Sequence, residues 1–193
     1  MQGEHHQHRR VPEILAFTLN NPIRRLLQPP ERLISKLNLR PGDVVVDFGC
    51  GPGFFTVPLA KVAARTIAVD ISLGMLERAA SYAKKRGVTV EYLKSNGSEI
   101  RLPNETADLV FLHHVFHEID HRPEVLREFL RIMKRSGRLA VVEKMRGSRL
   151  FAGRLGPPVI NPLEVVREME DRGFTVTQTI AHGSDSVIVG QKL

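Results

Sequence analysis

The stretch Val44-Val45-Val46-Asp47-Phe48-Gly49-Cys50-Gly51-Pro52-Gly53-Phe54-Phe55-Thr56 decides the fold. Its valines form an apolar run without polar alternation, as in a strand buried on both faces. The run ends at Asp47 and gives way to glycines at 49, 51 and 53. Loss of Cβ atoms at alternate positions of a strand-to-helix turn lets a ligand approach the backbone closely. The N–H groups of the following helix point at the same spot. A nicotinamide-binding turn spaces its glycines G-x-G-x-x-G to seat a pyrophosphate. Here the third glycine comes one residue early and follows Pro52. A tight turn with no ligand is the plain alternative, and a downstream acid argues against it. The second strand ends in Val69-Asp70-Ile71-Ser72, placing Asp70 21 residues beyond Gly49. A carboxylate there can accept both hydroxyls of a ribose. Asp70 could instead cap the next helix, although Ser72 can fill that role.

Outward from this turn the chain alternates. Strands are expected at 44–46, 66–71, 88–93, 107–112 and 138–143, and two closing strands at 175–180 and 186–189 around His182-Gly183-Ser184. Helices are expected at 54–64, 74–86, 123–134 and 162–172, the second and last ending at Gly87 and Gly173. Pro29-Pro30 starts a further helix with Leu33, Ile34 and Leu37 on one face. Residues 145–161 read as a loop rich in Gly and Pro. This alternation predicts an α/β fold with a doubly wound, mostly parallel sheet. Ligands of such sheets bind outside the carboxyl ends of the strands.

The 193 residues suit one domain. We read residues 31–193 as that domain and residues 1–30 as a polar tail plus a helical lid segment, broken at Asn20-Asn21-Pro22. The segment's apolar residues, among them Leu15, Phe17 and Leu26, need something to cover: the mouth at the strand ends, the sheet's flank, or an anionic membrane met through Arg24 and Arg25. No apolar run reaches the roughly 18 residues of a membrane span, and the polar start lacks the apolar core of a signal peptide. A cytoplasmic location is the expectation. Cys50 is the only cysteine, so no internal disulfide forms; we read it as a small packing residue. The net charge of +7 admits nucleic acid, an anionic membrane or an acidic substrate as partner. Lys84-Lys85-Arg86 and Lys134-Arg135 fall near expected helix C-termini, where cations favour the dipole.

VVVDFGCGPGFFT at 44–56 resembles the first motif of class I S-adenosylmethionine-dependent methyltransferases, and AVDIS at 68–72 the second. ADLVFLHHVFHEI at 107–119 is similar to their fourth-strand motif, and LREFLRIMKRSGRLAVVE at 126–143 to the elements that follow it. The resemblance covers residues 31–193 and is nearest the small-molecule branch that includes ubiquinone- and menaquinone-biosynthesis methyltransferases. It implies a seven-stranded Rossmann-like sheet with N-terminal helices and S-adenosyl-L-methionine as cofactor. It implies that Gly49 and Gly51 hold the methionine end, with Gly53 completing the turn and Asp47 near the ammonium. Asp70 would bind the ribose, with Ser72 and Met75 beside the adenine and Asn96 and Gly97 at its edge. The family usually has aspartate where Asn96 stands. His113 would face the methionine carboxylate or the transferred methyl.

Methyl transfer is an in-line displacement that gains mainly from alignment and exclusion of water, and a general base helps where the acceptor is a hydroxyl or ammonium. His113, His114 and His117 follow the fourth strand and are the candidate bases. His113 and His117 stand four apart, a spacing that metal ligands use on a helix. No third ligand is evident and HHVFH is not HExxH, so no metal is assigned. His5, His6 and His8 read as part of a solvated tail.

The place after the fourth strand reads Leu112-His113-His114-Val115, without the [DN]-P-P-[YFW] motif of base amino-methylases and without the cysteine of cytosine-C5 enzymes. Both absences count against two nucleic-acid chemistries and leave ribose methylation open; the small-molecule branch of the resemblance implies a small, partly apolar acceptor. A tRNA or rRNA methyltransferase, supported only by charge, and a cofactor-binding protein without transfer activity are the alternatives.

Overall fold

Alternation of side chains on doubly buried strands sends each neighbour to an opposite layer. In the computed structural model, which describes residues 29–145 and 159–193, this builds two apolar layers around one sheet. Val46, Val110, Leu112, Leu139 and Ile188 face one way, against Val125, Phe129, Ile132 and Met169. Val45, Leu109, Phe111, Ala140 and Val187 face the other, against Leu33, Ile34, Leu37, Phe55 and Leu59. The expected face of Leu33, Ile34 and Leu37 is thus where it was placed by its spacing.

The elements run α1 (Pro30–Ile34), a 3₁₀ turn, β1 (Val44–Phe48), α2 (Thr56–Ala60), β2 (Arg65–Asp70), α3 (Leu73–Lys85), β3 (Glu91–Lys94) and β4 (Ala107–His113). They continue with a 3₁₀ turn at Phe116–Glu118, then α4 (Arg122–Ile132), β5 (Met133–Lys144), α5 (Pro162–Glu170), β6 (Phe174–His182) and β7 (Asp185–Lys192). The seven strands are ordered β3-β2-β1-β4-β5-β7-β6. The first five are parallel, and β7 runs antiparallel between β5 and β6. This is the expected doubly wound, mostly parallel sheet. The proposed helices and lid of the N-terminal segment, and most of the loop expected at 145–161, lie outside the described residues.

Three boundaries differ from expectation. The helix expected at 54–64 is reduced to Thr56–Ala60. Phe54 and Phe55 stay in the turn and bury their rings edge to face, 5.2 Å apart. The strand expected at 88–93 pairs only from Glu91, at the sheet edge. The helix expected to reach Lys134 stops at Ile132, because Met133 already pairs with Ala107. The chain then bulges through Ser136, at φ 63°, and resumes register at Arg138 opposite Leu109. Lys134 accordingly serves no helix terminus; its Nζ pairs with Asp108 Oδ2 at 2.7 Å. The Lys84-Lys85 pair does sit in the last turn of α3.

Register brings the site residues together. Phe48 lies opposite Val69 and Asp47 opposite Phe111, so β1, β2 and β4 end at one edge. Because β7 is antiparallel, its first residue, Asp185, joins that edge opposite Lys144, the last of β5.

Candidate functional site

The glycine turn leaves β1 with Gly49, Gly51 and Gly53 at φ 70°, 52° and 89°. These are left-handed conformations that side chains resist. The N–H groups of Gly49 and Cys50 both donate to Val69 O, at 2.8 and 3.1 Å, which ties the turn to β2. A Cβ on Gly49 would stand 2.5 Å from Val115 Cγ2, so this glycine is required by packing. A Cβ on Gly51 would meet nothing within 4 Å among the described residues, so its backbone faces open space there. Gly53 sits against Ala79 of α3.

Asp70 closes that space. Its Oδ2 accepts from Gly51 N at 2.9 Å and its Oδ1 from Ser72 N at 2.9 Å. Ser72 Oγ in turn accepts from Met75 N and caps α3, so the cap role falls to Ser72. A carboxylate oxygen can accept more than one hydrogen bond, so these contacts do not bar a ligand hydroxyl. Met75 is buried below, whereas Ile71 is 40% exposed, with its Cγ2 3.7 Å from where a Gly97 Cβ would be. Asn96 Oδ1 accepts from Ser98 N and Glu99 N at 3.0 and 2.8 Å, and from Ser98 Oγ. The side-chain oxygen of Asn96, which the resemblance places at the adenine edge, is therefore engaged by its own turn.

Asp47 is 2% exposed and its Oδ2 accepts from Thr56 Oγ1 at 2.6 Å. Burial pushes its carboxyl up to about 7, against the pull of the Thr56 hydroxyl. Thr56 is a site residue that the sequence reading missed. Burial also drives the Cys50 thiol well above its ordinary range, as suits a packing residue.

The histidines lie at and just after the C-terminal end of β4. The His113 ring lies 4.2 Å from that of Phe55 and 3.9 Å from that of His114. His114 Nε2 stands 3.2 Å from Asp185 Oδ1. His117 belongs to a 3₁₀ turn, so it shares no helix face with His113. Its Nδ1 bonds Glu143 Oε2 at 2.8 Å, and its backbone N–H donates to Glu143 Oε1. Burial would depress the His117 imidazolium, but the Glu143 carboxylate outweighs this and raises it. With a carboxylate accepting at Nδ1, the lone pair sits on Nε2. The sequence reading assigned neither Glu143 nor Asp185. A cavity of about 320 Å³ beside Asp43, Asp108 and Arg138 lies at the opposite ends of the strands, away from these groups.

A doubly wound sheet, a three-glycine turn, an acid ending β2 and a histidine cluster ending β4 together define a cofactor-dependent group-transfer site. Residues 46–141 match the family model described as a methyltransferase domain. The structure superposes on a SAM-dependent methyltransferase from Aquifex aeolicus with a TM-score of 0.86, at 27% identity, covering 95% of this chain and 100% of that one. The chain is 29% identical to a ubiquinone biosynthesis O-methyltransferase of Rickettsia canadensis (strain McKiel), over 61% of this chain and 49% of the relative. It is 26% identical to a ubiquinone/menaquinone biosynthesis C-methyltransferase of Vibrio campbellii (strain ATCC BAA-1116), over 66% and 47% respectively. It thus spans about half the length of these curated relatives. The chain belongs to the S-adenosylmethionine-dependent methyltransferases. The residues present fit that cofactor: the open backbone at Gly51 and the Asp70 carboxylate beside it form a cradle that a Cβ would fill. Among the described residues no helix is long and apolar enough to cross a membrane.

Proposed function

We propose that this chain methylates a small, partly apolar molecule with S-adenosylmethionine as donor. The observation that carries the reading is the Gly51–Asp70 cradle, open above the backbone and anchored by a 2.9 Å hydrogen bond. In this reading the Gly49 and Gly51 backbone holds the methionine end, beside Asp47. Asp70 takes the ribose, and Ser72, Met75, Ile71 and Gly97 flank the adenine. Asn96 shapes the loop at the adenine edge through its turn. S-adenosylmethionine supplies an electrophilic methyl on a sulfonium. The chain contributes alignment, a dry floor built from Phe55 and His113, and a base. His117 is that base: Glu143 fixes its ring, and Nε2 takes the acceptor's proton. His113 and His114 flank the acceptor.

Small-molecule acceptors are favoured by the O- and C-methylating relatives. Charge, a net +7, is the one feature that favours nucleic acid, and Arg65, Arg122, Arg131 and Arg138 are engaged by carboxylates of the chain itself. Release of S-adenosylhomocysteine, followed with hydroquinone and phenol acceptors and separately with bulk tRNA and rRNA, tests the reading. Turnover on RNA alone would overturn it.

Two outcomes are expected. Asp70→Ala weakens cofactor binding by about 1–3 kcal/mol in calorimetric titration, through loss of charge-assisted contacts. Normal binding by that variant would refute the ribose assignment. Glu143→Gln keeps cofactor affinity but lowers kcat about 100-fold. It also moves the acid limb of the kcat profile to lower pH, because the carboxylate that holds the His117 proton is gone. Unchanged turnover and an unmoved limb would remove His117 as base.

A further inference from the structure

Successive residues leaving a strand ordinarily point to opposite faces, yet His113, the last residue of β4, and His114 bring their rings to 3.9 Å, tilted by 34°. His114 manages this by taking φ 56°, a left-handed conformation that is costly outside glycine, with its N–H donated to Val142 O at 2.8 Å. Strain held at such a position points to use. The turned ring meets Asp185, and the contact is not an aligned hydrogen bond. His114 Nε2 and Asp185 Oδ1 are both buried, 3.2 Å apart, and neither has a hydrogen-bond partner among the described residues. Unsatisfied buried polar atoms are expensive and call for an explanation.

We propose that His113, His114 and Asp185 form a binding site for a divalent transition-metal ion of the zinc type. One ligand atom from each lies within 4.8 Å of the others. Around a tetrahedral zinc, ligand atoms stand about 3.3 Å apart. Rotation of the side chains closes the widest pair by about 1.5 Å. Two imidazoles and one carboxylate are a donor set for zinc or non-haem iron, with a coordination position left open. A cation between them gives both buried atoms a ligand bond in place of their poorly aligned contacts with each other and with Lys144. It lies at the sheet edge that also holds the glycine turn, with the His113 ring 4.2 Å from that of Phe55. Its use there, as a seat for an acceptor oxygen, rests on the methyltransferase reading; the binding itself does not. Lys144 opposes the site: its Nζ is 3.5 Å from Asp185 Oδ1 and 2.8 Å from Ser184 Oγ. Metal entry requires Lys144 to stay on Ser184.

The test uses the full chain with His5, His6 and His8 changed to Ala, so that the tail cannot bind metal. Zn²⁺ is titrated calorimetrically in the absence of cofactor and acceptor, and Co²⁺ is followed by its visible absorption. One ion per chain at micromolar Kd or tighter is expected. Asp185→Asn and His114→Ala each weaken it at least about 100-fold, and Lys144→Gln tightens it. Circular dichroism confirms that each variant is folded, and retained S-adenosylmethionine affinity in Asp185→Asn separates loss of metal from loss of the cofactor site. Absence of binding below millimolar Zn²⁺, or binding that Asp185→Asn leaves unchanged, overturns the proposal.

Discussion

Gly51→Val gives a folded chain whose affinity for S-adenosylmethionine falls at least about 100-fold, a loss of roughly 3 kcal/mol. Gly49→Val instead gives a chain that does not fold stably. The two glycines sit two residues apart at similar positive φ, so local strain of about 1–2 kcal/mol is common to both substitutions. What differs is the neighbourhood. A side chain at 49 drives into Val115, whose methyls would stand 2.5 and 2.7 Å away, and overpacking adds to the strain. A side chain at 51 enters open space, so the fold carries only the backbone cost and the damage falls on whatever ligand uses that space. Gly51→Ala shares the backbone cost with a smaller side chain and should lose less affinity than the valine. Thermal melts and calorimetric titrations on the three variants check the pattern. Equal cofactor affinity in wild type and Gly51→Val would mean that no ligand approaches this backbone.

The glycine turn and sheet were legible because they rest on local signals. Val44–Val46 and Leu109–Leu112 are continuous apolar runs, and such runs leave few options besides a doubly buried strand. Positive φ at positions 49, 51 and 53 is what alternate glycines announce. The acceptor side was harder because its partnerships are distant in sequence. His117 meets Glu143 26 residues on, and His114 meets Asp185 only because β7 inserts antiparallel between β5 and β6. Nothing near His114 in the sequence signals its left-handed backbone, so the approach of its ring to that of His113 could not be read there. The bulge at Ser136-Gly137 was hidden for the same reason: the pairing of Met133 with Ala107 overrides a helical pattern that runs through Lys134.

Asp47 supplies the clearest pH dependence. Burial raises its carboxyl to about 7 in the protein without ligand, from an ordinary 3.8. The neutral form is therefore favoured by folding. Between about pH 4 and pH 7 the folded state holds a proton that the unfolded chain has released, so stability falls as pH rises through this window. The full cost above pH 7 is on the order of 4 kcal/mol. A ligand ammonium placed beside Asp47 reverses the preference, since an opposite charge favours the carboxylate. Cofactor binding below pH 7 then expels the Asp47 proton, and affinity falls nearly tenfold per pH unit as the medium becomes more acidic. On the alkaline side affinity falls again as the ligand's α-amino group loses its own proton near pH 8. The expected profile of affinity against pH is a bell, and cofactor raises the melting temperature most on its plateau. Asp47→Asn stabilises the ligand-free chain at pH 8, weakens cofactor binding there and flattens the acid limb. Titrations in two buffers of different ionisation enthalpy count the proton released at pH 6. No release at pH 6, together with an acid limb retained in Asp47→Asn, would show that the ammonium is held elsewhere.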